Sequence, residues 1–411
     1  MHRAALATVL VAALAALAAC GDDVAGDPFP IAVDRAGGAF VVGLKADGDQ
    51  FVRTAVVDVL SPLTILDQAA EVAPARRSGT LDLMEPEQAD GSRITRVRWD
   101  ATVLGMHPCA SGAPCEIGAA GQPLEIGAVI GGDILRRNAI TFEPRTDTMY
   151  VLPDVAGDNE TRGDACEVVV PRPFYGGGTL RIGDTEVGFA GTRVALGVCL
   201  SPDPDAPEPK DRGTDAALVL STGIGLSIIG EARYAAWADA NGGPALSTLP
   251  PAFALLPSGL VQGRLGRIDR LAIVGTSTAP RGACREVFAH HLLSDRNCAP
   301  TDGDDCPCEN DSSCQVAAIA EISPATPIEV VVVPDEDPLL QSLRAELRPE
   351  QPEVDGILGM NALATTAFDV DYPNNRLLFR CVAAGCVARP ALLDGKRPVV
   401  AACVAAAPTV P

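Results

Sequence analysis

From residue 38 onward, short apolar runs rich in β-branched residues alternate with glycine- and aspartate-bearing turns, the pattern of strands and hairpins rather than of long helices. Phe40-Val41-Val42-Gly43-Leu44 and residues 51–57 flank Asp47-Gly48, a dipeptide suited to the left-handed turns that join antiparallel strands. The same pattern returns at residues 179–182, Gly183-Asp184 and residues 185–189, and predicts a third strand over 192–198. Helical signals are sparse. The clearest helix is predicted over 231–240, where Tyr234 and Trp237 share a face and Asn241-Gly242-Gly243 supplies the stop. Residues 153–165 read as a connection between two lobes, and the proline-bearing stretch 201–212 as a loop within the second. The expectation is an all-β protein in the main, with a few short helices.

An internal duplication sharpens this picture. Val129-Ile130-Gly131-Gly132-Asp133-Ile134-Leu135 aligns without gaps on Ile357-Leu358-Gly359-Met360-Asn361-Ala362-Leu363. At the same offset Phe142-Glu143 faces Val370-Asp371, and Met149-Tyr150-Val151 faces Leu377-Leu378-Phe379. Upstream, Ala55-Val56-Val57-Asp58 matches Leu218-Val219-Leu220-Ser221, and Leu63-Thr64-Ile65-Leu66 matches Leu226-Ser227-Ile228-Ile229. Each half therefore has an apolar strand ending in a short polar residue, and later an apolar-apolar-glycine signature. Two lobes related by an approximate twofold axis follow.

Charge and composition narrow the partners. The chain of 411 residues has 53 acidic and 32 basic side chains, a balance of −21. This acidity argues against a nucleic-acid partner, because phosphate contacts would be made against the protein's own field, and disfavours docking on anionic lipid for the same reason. The length suits two domains or one two-lobed body.

The first residues read as an address. Arg3 precedes an unbroken, weakly apolar run over 4–19, shorter than the roughly 18 residues that a spanning helix needs. Leu17-Ala18-Ala19-Cys20 followed by Gly21-Asp22-Asp23 resembles the lipobox of bacterial lipoproteins. The resemblance implies cleavage before Cys20, acylation of Cys20 and an exported, membrane-tethered protein. Gly21 in place of aspartate implies sorting to the outer membrane. Export also governs the remaining cysteines: Cys20 apart, the 13 leave an even set, which an oxidising compartment pairs into disulfides. Short loops such as Cys109 to Cys115 and Cys381 to Cys386 are the easiest closures. The stretch 298–314, rich in cysteine and acidic residues and close to His290 and His291, reads as a disulfide-stapled loop, with a metal site as the less favoured alternative. No metal and no cofactor are expected.

Two halves built this way resemble the pepsin and retropepsin family of aspartic peptidases over nearly the whole chain from residue 37 to 381. Ser221-Thr222-Gly223 stands where that family has Asp-Thr-Gly, and Asp58-Val59-Leu60 stands on the corresponding first turn. Ile130-Gly131 and Leu358-Gly359 match the hydrophobic-glycine pair behind each catalytic loop. The lipobox implies a signal peptide over 1–19 and a lipidated tether over 20–36, and the peptidase resemblance implies an N-terminal β lobe over 37–155 and a C-terminal β lobe over 156–382. The second lobe has a cysteine-rich insertion near 284–314, and a cysteine-containing tail covers 383–411. It implies dyad positions at Asp58 and Ser221, supported by Thr222, Gly223, Gly131 and Gly359. Trp99 falls where a flap hairpin would sit, and reads equally as a buried strand residue.

The departures from the family decide the chemistry. Aspartic peptidases use two adjacent carboxylates sharing one proton, one activating water and the other protonating the scissile carbonyl. Ser221 offers an alcohol, which neither ionises nor donates a proton readily near neutral pH. Val59 lacks the hydroxyl of the family's threonine, and Leu60 adds a side chain where two backbones should nearly touch. The first reading is a catalytically silent monomer whose interlobe cleft binds a peptide or extended envelope protein segment by strand addition. The second is an acid endopeptidase pairing Asp58 with Asp67 or Asp355, and the third is an envelope scaffold without a cleft ligand. A serine hydrolase is not supported, because Ser221 and Ser227 lack the glycine pattern of a nucleophile elbow. Gly176-Gly177-Gly178-Thr179 has no lysine after it and belongs to a hairpin rather than a phosphate loop.

Overall fold

The computed structural model describes residues 29–32, 34–69, 71–85, 94–107, 109, 115–117, 124–152, 168–171, 174–182, 185–201, 213–256, 259–275, 316–322, 327–346, 353–381 and 386–392. Cys20 with its leader, the 153–165 connection, nearly all of the 201–212 loop and the cysteine-rich insertion 284–314 lie outside them. Of the tail, Cys386–Leu392 falls inside.

Three large sheets carry the chain. The N-terminal lobe is a seven-stranded sheet in the order Asp34–Ala36, Ala39–Ala46, Arg53–Val57, Ala128–Ile130, Ile65–Leu66, Thr95–Gly105 and Ala75–Met84. Ala39–Ala46 also pairs with Ala75–Met84, closing six of the seven strands on themselves and leaving Asp34–Ala36 outside the closed path. The turn at Asp47-Gly48 joins the expected hairpin, with Val41 opposite Val56, and Gly48 supplies the positive φ of 81°. The C-terminal lobe is an eleven-stranded sheet. At its centre run Ile328–Val333, Ser227–Gly230, Gly356–Leu358, Thr214–Leu220 and Arg193–Leu200.

The third sheet joins the lobes. Its six strands are Phe29–Ala32, Thr148–Leu152, Ala139–Glu143, Thr366–Asp371, Arg376–Cys381 and Val168–Pro171. Ala139–Glu143 from the first half lies antiparallel to Thr366–Asp371 from the second, with Thr141 opposite Asp369. In the alignment that superposes Gly131 on Gly359, Thr141 superposes on Asp369. Two sequence equivalents that face each other across an antiparallel pair mark the local twofold axis. Along it an aromatic spine fills the core, with ring centroids 5.1 Å apart for Phe40 and Phe142 and 5.0 Å for Phe142 and Phe368. This is the mainly β, two-lobed and internally duplicated architecture that the resemblance implied.

The structure departs from the sequence reading in four places. The strand expected over 192–198 is Arg193–Leu200, yet it leaves the Gly178–Ile182 and Thr185–Phe189 hairpin to stand as its own two-stranded sheet. Val194, Leu196, Val198 and Leu200 are fully buried, so this strand belongs between Thr214–Leu220 and Leu271–Gly275. The expected tether 20–36 is already strand from Phe29, and Ile31 is fully buried; Pro30 is tolerated because its strand is the edge of the sheet. The expected tail contributes Cys386–Leu392, which pairs with Val316–Ile322. Finally, the helix Pro338–Ala345 had no place in the sequence reading, although Asp337 caps it by accepting from the Leu339 amide at 2.9 Å and proline opens it. The predicted helix is found as Glu231–Asn241, stopped by Gly242 at φ 68°.

Candidate active site

In each lobe one unit is built twice. The strand that runs into the turn pairs in parallel with the short strand before the signature glycine, Val57 with Ile130 and Leu220 with Leu358. The strand after the turn pairs antiparallel with that same short strand, Ile65 with Val129 and Ile228 with Ile357. Both turns are anchored alike: the Asp58 amide donates to Ile130 O, and the Ser221 amide to Leu358 O, each at 3.0 Å. Behind them a hydroxyl accepts from each glycine amide, Thr64 from Gly131 and Ser227 from Gly359, both at 3.0 Å. Each hydroxyl in turn donates to the side chain two residues past the glycine, Asp133 at 2.7 Å and Asn361 at 2.9 Å. A Cβ at Gly131 would lie 2.3 Å from Leu63 O, and one at Gly359 2.5 Å from Leu226 O, so any side chain at either glycine would force the strands apart.

The two turns converge. Ser221 Oγ donates to Asp58 Oδ1 at 2.8 Å, across 163 residues of sequence. The same Oδ1 accepts from the Leu60 amide at 3.0 Å and the Gly223 amide at 3.2 Å. Gly223 is needed for the approach, since a Cβ there would stand 2.7 Å from Asp58 Cγ. Thr222 clamps the turns: its hydroxyl donates to Val57 O at 2.6 Å and accepts from the Val59 amide at 3.2 Å. With valine at 59, the clamp has one arm. Leu60 does not hold the turns apart as its bulk suggested. Its side chain leaves the contact and is buried in an apolar cluster with Tyr175, Val219 and Ile224.

The site is closed and desolvated. Asp58 exposes 4% of its surface and Ser221 none. Burial pushes the Asp58 carboxyl up from its ordinary value; the Leu60 amide, the Ser221 hydroxyl, the Gly223 amide and the charge of Arg193 pull it back. Burial raises the Tyr372 phenol as well, assisted by the charge of Asp58. Sequence reasoning missed Arg193 and Tyr372 because no spacing rule links them to Asp58. The pairing of Arg193–Leu200 with Thr214–Leu220 is what brings Arg193 to this end of the sheet.

The remaining candidates are placed elsewhere. Trp99 lies on Thr95–Gly105, the second strand of a long hairpin, but its ring is buried in the core and its Nε1 donates to Asn138 Oδ1 at 3.1 Å. Asp67, one proposed partner for Asp58, pairs with His107 at 2.8 Å. Asp355, the other, accepts from the Ala217 amide at 2.8 Å and pairs with Arg233 at 3.2 Å. Asp67, His107 and Cys115 lie close enough to suggest a metal site, yet Cys115 is joined to Cys109 in a disulfide and offers no thiolate. Cys199 is disulfide-bonded as well. The side chains of Cys381 and Cys386, and the 298–314 stretch with His290 and His291, lie outside the described residues. No helix among the described residues is long and apolar enough to cross a membrane.

No protein-family model and no curated protein matches the chain. Among solved structures, an aspartic proteinase from Irpex lacteus is similar at 12% identity and a TM-score of 0.37, covering 87% of this chain and 98% of its own. Basic 7S globulin from soybean is similar at 10% identity and a TM-score of 0.40, covering 87% of this chain and 95% of its own.

Proposed function

We propose that the chain is an aspartic-peptidase-like protein that has lost dyad hydrolysis and retains binding of a peptide or an extended protein segment. The observation that carries this reading is the 2.8 Å hydrogen bond from the Ser221 hydroxyl to Asp58 at the meeting point of two duplicated turns. A second carboxylate at that point would share a proton with the first and split the roles of base and acid. An alcohol there can orient Asp58 but cannot alternate with it as a proton donor. Burial of both side chains argues further against a water poised for attack. Binding by strand addition needs backbone groups and side-chain pockets rather than a dyad, so it survives the replacement.

In the same reading the chain is an exported lipoprotein, acylated at Cys20 and held at the outer membrane as a monomer. Its partner is then a segment of another envelope protein. Fluorescence anisotropy with a library of labelled decapeptides tests the binding function on the purified mature chain. Saturable binding of a sequence-restricted subset, with full-length peptide recovered afterwards, is the expected result. Absence of saturable binding across the library would favour a scaffold role instead.

A further inference from the structure

Among the described residues, the strands Gly178–Ile182 and Thr185–Phe189 pair only with each other, yet their hairpin is seated on the body of the protein. Along the second strand Glu186 and Gly188 are exposed, Val187 is buried and Phe189 half-buried, so alternate residues turn one face inward. That face meets the first lobe: Val187 is buried in one cluster with Leu63 and Leu104, and Met106 and Phe189 pack against it. The Leu104 amide donates to Thr64 O at 3.0 Å and the Met106 amide to Leu66 O at 3.1 Å, which holds Leu63, Leu104 and Met106 in a single apolar wall. This wall adjoins the Asp58 turn. The Ser61 amide donates to Asp58 O at 3.1 Å, and Leu63 O stands against Gly131. Just past the hairpin, Thr192 is buried against Gly132, where a Cβ would lie 2.2 Å from the Thr192 Oγ1. A segment of the second half thus lies on the turn of the first.

The hairpin joins the second lobe through a neck of glycines. A Cβ on Gly177 would lie 3.0 Å from Gly191 N, and one on Gly191 2.6 Å from Gly176 O, so side chains here would hold the two limbs apart. Gly176 and Gly177 have φ of 84° and 109°, conformations that other residues rarely adopt. On one side of the neck the chain is fixed: Arg193 pairs with Glu346 at 2.7 Å and leads into the buried strand Arg193–Leu200. On the other side, Val187 and Phe189 are the residues seated on the first lobe. A firm root, a pliant neck and a small apolar seat are the parts of a strap.

We propose that this strap is an internal ligand: its second strand occupies the wall of Leu63, Leu104 and Met106, and an external extended segment with apolar residues at alternate positions binds there once the strap has swung away on its neck. The proposal rests on the reading given under the proposed function and names the class of segment recognised, one that carries two apolar side chains separated by a single residue, as Val187 and Phe189 are. Pockets for alternate side chains are what give an extended peptide its specificity. Because the strap must leave first, the apparent affinity for an external peptide is reduced by the fraction of molecules in which the wall is free.

The probe is a labelled peptide of the strap's own second strand, residues 184–191. In a strapless form of the mature chain, residues 179–189 are replaced by two glycines, a link short enough for limbs that already meet at the neck. Fluorescence anisotropy should show saturable binding of the probe to the strapless chain, at least about tenfold tighter than to the parent. A probe carrying Val187→Ser and Phe189→Ser should not bind. In the full mature chain, Val187→Asp unseats the strap without shortening it. That variant should also bind the probe about tenfold more tightly than the parent, with faster hydrogen exchange over residues 179–189 and unchanged exchange over Arg193–Leu200; it carries the same test if the strapless chain does not fold. Equal probe binding by the parent and the opened chains, no probe binding by any of them, or binding indifferent to the two side chains overturns the proposal. Probe binding to the opened chains with no binding of any library decapeptide would overturn recognition of a foreign segment and leave the strap standing. Library binding of equal strength in the parent and opened chains would overturn the strap and leave the binding function standing.

Discussion

Replacing Thr222 with valine removes the one-armed clamp between the two turns while keeping side-chain volume. Its hydroxyl donates to Val57 O at 2.6 Å and accepts from the Val59 amide at 3.2 Å, both in buried surroundings. A buried amide left without an acceptor costs about 1 to 3 kcal/mol, and the lost bond to the carbonyl adds roughly 0.5 to 1.5. The variant should therefore lose about 2 to 4 kcal/mol, a large share of the 5 to 15 kcal/mol typical of a folded domain. Urea unfolding of the mature chain under non-reducing conditions reads this as a lower midpoint at unchanged slope. Thr222→Ser keeps both bonds and should lose less than about 1 kcal/mol. A Thr222→Val midpoint equal to that of the parent would show that the two turns are not held together through this hydroxyl.

Three further outcomes follow. Asp58 has a folded-state proton affinity above that of an unfolded carboxyl, so its contribution to stability is fully present below the unfolded value and is lost as pH rises through the folded one. Asp58→Asn, which resembles the neutral form, should flatten that part of the decline in a denaturation series from acid to neutral pH; an unchanged slope would contradict the burial argument. Gly131→Ala places a Cβ 2.3 Å from Leu63 O and should cost upwards of about 2 kcal/mol or prevent folding, measurable as loss of soluble protein or of unfolding midpoint, whereas Gly48→Ala, with nothing near its Cβ, should cost less despite its strained φ. Cys20→Ala should move the protein from the membrane fraction to the soluble exported fraction; continued membrane association would remove the lipid tether from the account.

What could be read from the chain was the part governed by local backbone requirements. Gly131 and Gly359 sit where two strands leave no room for a side chain, and that necessity is written identically in both halves. Asp58 and Ser221 were legible for the same reason, since each ends a strand whose pairing is repeated. Arg193 and Tyr372 were not, because their influence on and from Asp58 arises from the packing of separate elements at no fixed spacing. The strand Arg193–Leu200 was visible but its neighbours were not: adjacency in sequence suggested the preceding hairpin, and burial on both faces took it to the middle of a sheet. Leu60 illustrates a side chain whose size was plain and whose exit route was not. The turn lets it enter the cluster around Tyr175 and Ile224 instead of separating the loops.

The proposed function requires that one buried carboxylate facing an alcohol does not hydrolyse peptide bonds. Incubation of the purified mature chain with denatured casein from acid to neutral pH, alongside Asp58→Asn, measures it directly. The account predicts no cleavage above background at any pH and no difference between the two proteins. Cleavage by the parent chain that disappears in Asp58→Asn would contradict it.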